Sequence, residues 1–407
     1  MIRARERFAY AAGDVGFNFV WYSTELFLLY FYVRVLGLPP RFAAAVFLAA
    51  SVIDLFADPL IGTLVDRTRR IGFRHWVMLG GGAASMLLVA CFSAAPVGGA
   101  ALEGYALAMH VAMRVAYSFG NIPYAALTAR LSNRPVDHLR LTSARMQGAA
   151  LGGLAAAGLY AALPQVDGRA DFSTGTLILA AVAVPLFAAT ALGVTERHGA
   201  PASAPRPPAG ALVRLLAGSA PVRRLLAAIF TMGIAISALL ASLLFLFERM
   251  GRPDAGHLAA LLPPVALFAT SPLWAKLGAR AGPVCALRLS AALAAASPAA
   301  LLAVGGPPVP VAVLLVALAV AGGAGMSVLF WSLVPAVVAE LERDGRGVDL
   351  AGAVYGLATT ARKLAQGAAP LVATAGSEHG ATIAGPALAA VAALAVALLY
   401  PPRVLAS

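Results

Sequence analysis

Residues 51 to 74 read SVIDLFADPLIGTLVDRTRRIGFR, an apolar run that holds two carboxylates and ends in a burst of arginines. Asp54 and Asp58 are four residues apart, so on a helix they share one face. On a soluble helix that pair would be ordinary surface. Several turns inside a membrane span a carboxylate is expensive, and by default it marks an ion or proton path. The pair is therefore the first candidate site, provided the run around it spans a membrane.

The rest of the chain supports that condition. Of 407 residues, 60% are hydrophobic and only 12% charged, and the mean hydropathy is +0.83, which no soluble globule with a wet surface reaches. The net charge of +12 comes largely from arginines in short loops between apolar runs, so it reports membrane orientation. No basic and aromatic stripe suited to nucleic acid is present. Cys91 and Cys285 lie in apolar runs without a CxxC or His partner, which supports neither a disulfide framework nor a metal site and reads as packing.

Apolar spans are expected at about 8–37, 41–66, 75–96, 101–130, 140–162 and 173–195, then at 222–248, 256–278, 283–304, 309–340, 350–376 and 380–400. A polar, proline-rich stretch, TERHGAPASAPRPPAG, separates the two sets. The expected organisation is an all-α polytopic membrane protein: a six-helix bundle over 1–196, a linker over 197–221 and a second six-helix bundle over 222–407. Arg67, Arg69, Arg70, Arg74, Arg130, Arg134, Arg140, Arg197, Arg206, Arg214, Arg223, Arg224, Lys276, Arg280, Arg343 and Arg346 all fall on one side. That places both termini and the linker in the cytoplasm of a cell whose inner membrane holds the chain.

The halves repeat. DPLIGTLVDR from Asp58 matches SPLWAKLGAR from Ser271, TSAR from Thr142 matches TTAR from Thr359, and Pro123 matches Pro335, all at nearly one offset. Two parallel six-helix halves are the architecture of major facilitator transporters, whose solute site lies between the halves near mid-membrane.

The stretches YAAGDVGFNFVWY, LLYFYVRVLGL, SVIDLFADPLIGTLVDRTR, GNIPYAALTARL and YGLATTARKLAQGAAP resemble the successive signatures of the glycoside–pentoside–hexuronide:cation symporters, the melibiose-permease-like branch of that superfamily. The resemblance implies that Asp54 and Asp58 form a coupling-cation site, with Ser118 beside them. It implies that Asp14 and Arg145 contact the solute and that Lys363 couples the two events. Asn18, Asn121, Arg114 and Trp331 complete the expected solute-binding set. Melibiose-transporting members carry an aspartate where this chain has Asn121, an asparagine where it has Ala57, and a threonine where it has Ser118. The first departure weakens a galactoside reading. The second removes an oxygen from a sodium cage, and a proton needs only a buried carboxylate, which favours protons over sodium.

Competing readings stay open at this level. Either carboxylate of the pair is alternatively an ion-pair partner of Arg145 or Lys363, and Asp14 a polar residue near the cytoplasmic interface. Glu25 and Arg114 are expected at matching depth in the outer half, where they either bridge each other or leave Arg114 to an anionic solute group, with His110 one turn away. Glycines 148, 152, 158, 322, 323 and 325 are expected to let helices approach closely. Asp66 is expected to cap a neighbouring helix end as part of a latch. No Ser–His, metal-ligand or phosphate-loop constellation appears, so enzyme chemistry is not expected. The expectation is a monomeric, cation-coupled secondary transporter, without a cofactor other than H⁺ or Na⁺. Its cargo is a sugar-like polar solute or, alternatively, an amphipathic or anionic one such as a lysolipid.

Overall fold

The structure, a computed structural model, describes residues 2–68, 71–93, 98–163, 165–166, 169–198, 210–251, 261–344, 349–378 and 384–399. Arg69, Arg70, Arg206, Arg346 and most of the proline-rich linker lie outside them. The described residues form α1 (Ala4–Ser23), α2 (Pro40–Arg67), α3 (Phe73–Cys91), α4 (Ala100–Leu131), α5 (Pro135–Ala162), α6 (Phe172–Gly193), α7 (Ala211–Gly218), α8 (Ala220–Arg249), α9 (Leu262–Ala281), α10 (Pro283–Val304), α11 (Val309–Asp344), α12 (Ala351–Glu378) and α13 (Ala384–Leu399). A two-residue hairpin, Gln165–Val166 against Arg169–Ala170, joins α5 to α6.

Local chemistry sets the ends of these helices. Prolines open α2 and α10, where their missing N–H costs nothing and their fixed φ suits the first turn. Gly282 turns α9 into α10 with φ 86°, a conformation other residues resist. Asp171 caps α6 by accepting from the Thr174 amide at 3.1 Å. The first span is not one regular helix, because α1 continues through two π-helical turns, Thr24–Leu28 and Phe31–Val35. Where they begin, Ser23 and Thr24 donate their hydroxyls back to Phe19 and Val20 carbonyls at 2.6 and 2.9 Å. The short helix α7, ALVRLLAG, lies in the expected linker just after its polar, proline-rich stretch and was not expected.

Burial along α2 is inverted relative to a soluble protein. Leu48, Val52, Phe56, Leu60 and Leu64, every fourth residue, are exposed, whereas Asp54 and Asp58 on the opposite face are 1% and 0% exposed. An outward apolar stripe over inward carboxylates belongs in lipid. Among the described residues five helices are long and apolar enough to cross a membrane on length and composition alone: α2, α6, α10, and the greater parts of α8 and α11. Those that fall short include α1, α4, α5 and α12, which carry the polar residues considered below.

The chain divides into two compact units, and the division does not follow the linker alone. One unit holds residues 1–133, 148–212 and 338–357; the other holds 134–147, 213–337 and 358–407. The start of α5 and the start of α12 are thus exchanged. In the first unit α3 meets α4 at backbone distance, because a Cβ on Gly80 would lie 2.2 Å from the Gly120 nitrogen. Gly148 and Gly152 bring α5 onto the Ala11 and Val15 carbonyls of α1, and Gly62 brings α2 onto the Gly352 carbonyl of α12. In the second unit α13 packs on α8 and α10, and Gly278 of α9 touches Leu139 at the start of α5. The last contact repeats the α2–α12 arrangement, as the duplicated sequence predicts.

Three expectations need correction. Gly158 faces open space and Gly323 makes only ordinary contact with Ile236, so neither is a close-approach position, unlike Gly322 and Gly325. Cys91 is a buried packing residue but Cys285 is exposed, as the lipid-facing side of a membrane helix allows.

Candidate functional site

The polar face of α2 is met by a matching stripe on α4, where Arg114, Ser118 and Asn121 recur at helical spacing and are all buried. The two stripes form a ladder. Ser118 donates its hydroxyl to Asp58 Oδ1 at 2.5 Å. One turn away Arg114 donates Nε to Asp54 Oδ2 at 2.9 Å, and its Nη2 reaches the same oxygen. Asp54 is therefore ion-paired with Arg114, a partner that the sequence reading did not name for it.

The first span closes over the same guanidinium. Trp21 places its ring 5.1 Å from the Arg114 carbon, and Glu25, in the first π turn, has Oε1 3.5 Å from Arg114 Nη1. The Glu25 side chain is 43% exposed against 2% for Asp54, so the partner expected from depth matching is present but is the weaker of the two. A π turn recurs at functional positions because it shifts the face that a helix presents; here it carries Glu25. His110, one turn before Arg114, is buried with its ring edge-on to Phe47 at 4.6 Å, and its Nδ1 has no partner among the described residues.

The expected solute residues divide between the units. Asp14 is buried on α1, and Asn18 donates its amide to the Asp14 carbonyl at 2.8 Å; both stand where Gly148 and Gly152 admit α5. In the second unit Arg145 of α5 lies over the Trp331 ring of α11 at 5.4 Å, which joins two residues that the sequence named separately. Lys363 is half-buried on α12. Neither Trp21 nor the direct Arg114–Asp54 bond was expected. A signal existed for the bond, since Arg114 and Asp54 differ by the same 60 positions as Ser118 and Asp58.

Below the ladder, Asp66 accepts from the Gly352 and Ala353 amides at 2.7 and 2.8 Å, which caps buried first-turn donors of α12 that have no partner within the helix. Arg130 bonds Asp349 beside it and stacks on Phe73 at 4.5 Å. Glu6 holds the start of the linker through Arg197, at 2.8 and 3.0 Å to its two oxygens. Among the described residues no three His, Cys, Asp or Glu side chains cluster as a metal centre would need.

Chemically, the ladder is a buried polar stripe inside an apolar bundle, and Arg145 on Trp331 is a flat aromatic surface with a guanidinium over it. Known proteins match this chain as follows. The profile of the MFS/sugar transport protein family matches residues 9–406. The uncharacterized symporter YnaJ of Bacillus subtilis (strain 168) is 36% identical over 154 residues, 37% of this chain and 33% of that one. The putative glycoside/cation symporter YagG of Escherichia coli (strain K12) is 33% identical over 173 residues, 42% and 38% of the two chains. A putative sulfoquinovose importer of the same strain is 30% identical over 155 residues, 37% and 33% of the two. The chain thus spans less than half the length of these curated relatives. The crystal structure of the major facilitator superfamily transporter FucP superposes with a TM-score of 0.71, covering 96% of this chain and 98% of that one at 13% identity, a likeness of fold. The chain belongs to the MFS/sugar transport protein family and has the major facilitator fold of two pseudo-symmetric six-helix halves.

Proposed function

We propose that the protein is a cation-coupled secondary transporter that moves a small polar solute, sugar or glycoside-like, across the inner membrane by alternating access. The observation that carries this reading is the buried carboxylate pair of α2, bound rung by rung to Arg114 and Ser118 of α4. A structural bundle gains little from burying such groups, because apolar residues of similar volume pack as stably or better. Retained inside a membrane bundle, they serve a charge that moves. Asp58, with the Ser118 hydroxyl on it, is the carboxylate that takes the coupling cation.

The residues assigned to the solute are Asp14, Asn18, Asn121, Arg145 and Trp331, with Trp331 as an apolar face for a pyranose ring. Lys363 is the coupling residue implied by the resemblance. Both termini face the cytoplasm, by the positive-inside argument, and the working unit is the monomer. The bundles 1–196 and 222–407 are the moving parts, with 197–221 between them.

A second reading makes the solute anionic or amphipathic. It is favoured by the buried guanidinium of Arg145 on Trp331, a geometry suited to a carboxylate, phosphate or sulfonate. It also fits the relative whose printed name is a sulfoquinovose importer. Uptake into proteoliposomes with imposed proton or sodium gradients, screened over neutral glycosides and sulfonated sugars, tests both. Accumulation that no ion gradient drives, for any solute, would defeat the coupled reading.

A further inference from the structure

We infer that α7 and the first turn of α8 form a binding site for anionic phospholipid, with α7 lying in the plane of the membrane surface and its arginine side chains on lipid phosphates. Such a site depends on the membrane-spanning fold alone, not on the solute or the coupling ion.

The charge of this stretch is one-sided. Between Glu196 and Glu248 the chain has no acidic residue, while Arg197, Arg206, Arg214, Arg223 and Arg224 all fall there. Arg197 is taken by Glu6. Arg214, Arg223 and Arg224 are exposed, and among the described residues no carboxylate pairs with any of them. A basic surface beside the start of a membrane span meets the negative headgroups of the leaflet. Here that span is α8, apolar enough to cross over Ala220–Leu239.

Local bonds make α7 a separate helix fastened to the start of the span. Ser219, between the two helices, accepts from the Val222 amide at 3.3 Å and so caps α8. Arg223 donates Nη1 back to the Leu216 and Ala217 carbonyls at 3.3 and 2.6 Å, which satisfies the last turn of α7.

The apolar side chains of α7 then decide the occupant. Leu215 is its buried contact, 6% exposed, whereas Val213 and Leu216, neighbours on one face at i, i+3, are 69% and 41% exposed. At the depth where a span begins, that face enters the acyl boundary and Arg214 beside it reaches the headgroup layer. Along α8 the exposed side runs Arg223, Ala227 and Phe230, so the lipid-facing stripe also starts at a guanidinium. A guanidinium offers a phosphate two parallel N–H groups. A free phosphate ion would match the charge but leave Val213 and Leu216 in water, so the ligand is a phospholipid.

The test is hydrogen exchange of the α7 amides in the purified full-length chain, held singly in nanodiscs of phosphatidylcholine with or without phosphatidylglycerol. Each arginine at an anionic surface is worth about five-fold in binding, so phosphatidylglycerol should slow exchange in wild type by about ten-fold or more at low salt. High salt should remove most of that slowing. The double variant Arg214→Gln with Arg224→Gln changes two exposed positions and should exchange alike in both discs. Inorganic phosphate added to phosphatidylcholine discs should change nothing. Equal exchange of wild type in the two discs would overturn the inference, as would full slowing in the double variant. Slowing by inorganic phosphate would also overturn it, by making the site one for the free anion. Should the double variant fail to insert, wild type decides: slowing that salt removes upholds the lipid site, and slowing that persists, or none, overturns it. No solute enters the measurement, so failure of the transport reading would leave this result standing.

Discussion

Replacing Asp54 by asparagine removes the carboxylate from a pair in which Arg114 is 10% exposed at its side chain and Asp54 only 2%. Breaking a buried ion pair from one end leaves a charge in a poorly polarisable site and costs about 3–5 kcal/mol. Arg114→Gln should cost a similar amount for the mirrored reason. The double variant replaces two charges by two amides that bond each other, so it should recover most of the loss, with a coupling of at least about 2 kcal/mol. Glu25 provides the internal comparison. It lies 3.5 Å from the same guanidinium but is 43% exposed, so Glu25→Gln should cost no more than about 1 kcal/mol. Thermal unfolding of the purified variants at low and high salt measures all of this, and the Glu25 effect should fade with salt while the Asp54 effect should not. If Glu25→Gln costs as much as Asp54→Asn, or if the Asp54 and Arg114 losses simply add, the assignment of Asp54 as the main partner is wrong.

Asp66→Ala should lower stability by about 0.5–2 kcal/mol, the usual loss for a helix cap, because the Gly352 and Ala353 amides lose their acceptor. Hydrogen exchange should quicken in the first turn of α12, and unchanged exchange there would contradict the cap. Gly62→Ala places a methyl 2.2 Å from the Gly352 carbonyl oxygen, which should cost about 1–3 kcal/mol as α2 and α12 are forced apart; a neutral result would mean the helices are not in backbone contact. Asp171, outside the membrane spans, is held below the usual carboxylate range by the hydrogen bonds it accepts from Thr174. Its folded value lies under its unfolded one, so its stabilisation is present above about pH 4 and is lost as pH falls through the folded value. Corrected amide exchange at the start of α6 should rise over that fall in wild type but not in Asp171→Asn, and identical profiles would refute the cap.

The sequence discloses much of this arrangement because membrane burial is severe with charge. Asp54 and Asp58 stand out at i, i+4 in an apolar run, and the repeat DPLIG and SPLWA reports pseudo-symmetry that recurs in the α2–α12 and α9–α5 glycine contacts. The choice of partner for a buried charge was less legible. Depth along a helix pairs Glu25 with Arg114 correctly, but it cannot rank Glu25 below Asp54, since that rank depends on rotation about the helix axis and on exposure. The π turn at Thr24–Leu28 adds to the difficulty, because no proline or glycine marks it and a regular helix is the default reading of such a run. Exchange of the starts of α5 and α12 between the compact units was hidden as well, because helices that cross from one unit to the other keep one unbroken hydrophobic pattern.

Comparing uphill accumulation with solute exchange in proteoliposomes containing Asp58→Asn tests most directly whether movement of the solute is tied to an ion through Asp58. Asparagine keeps a partner for the Ser118 hydroxyl but has no charge for a cation to neutralise. The account predicts that accumulation against a gradient is lost while exchange of labelled for unlabelled solute across the bilayer persists. A folded Asp58→Asn protein that still concentrates solute under an imposed ion gradient would contradict it.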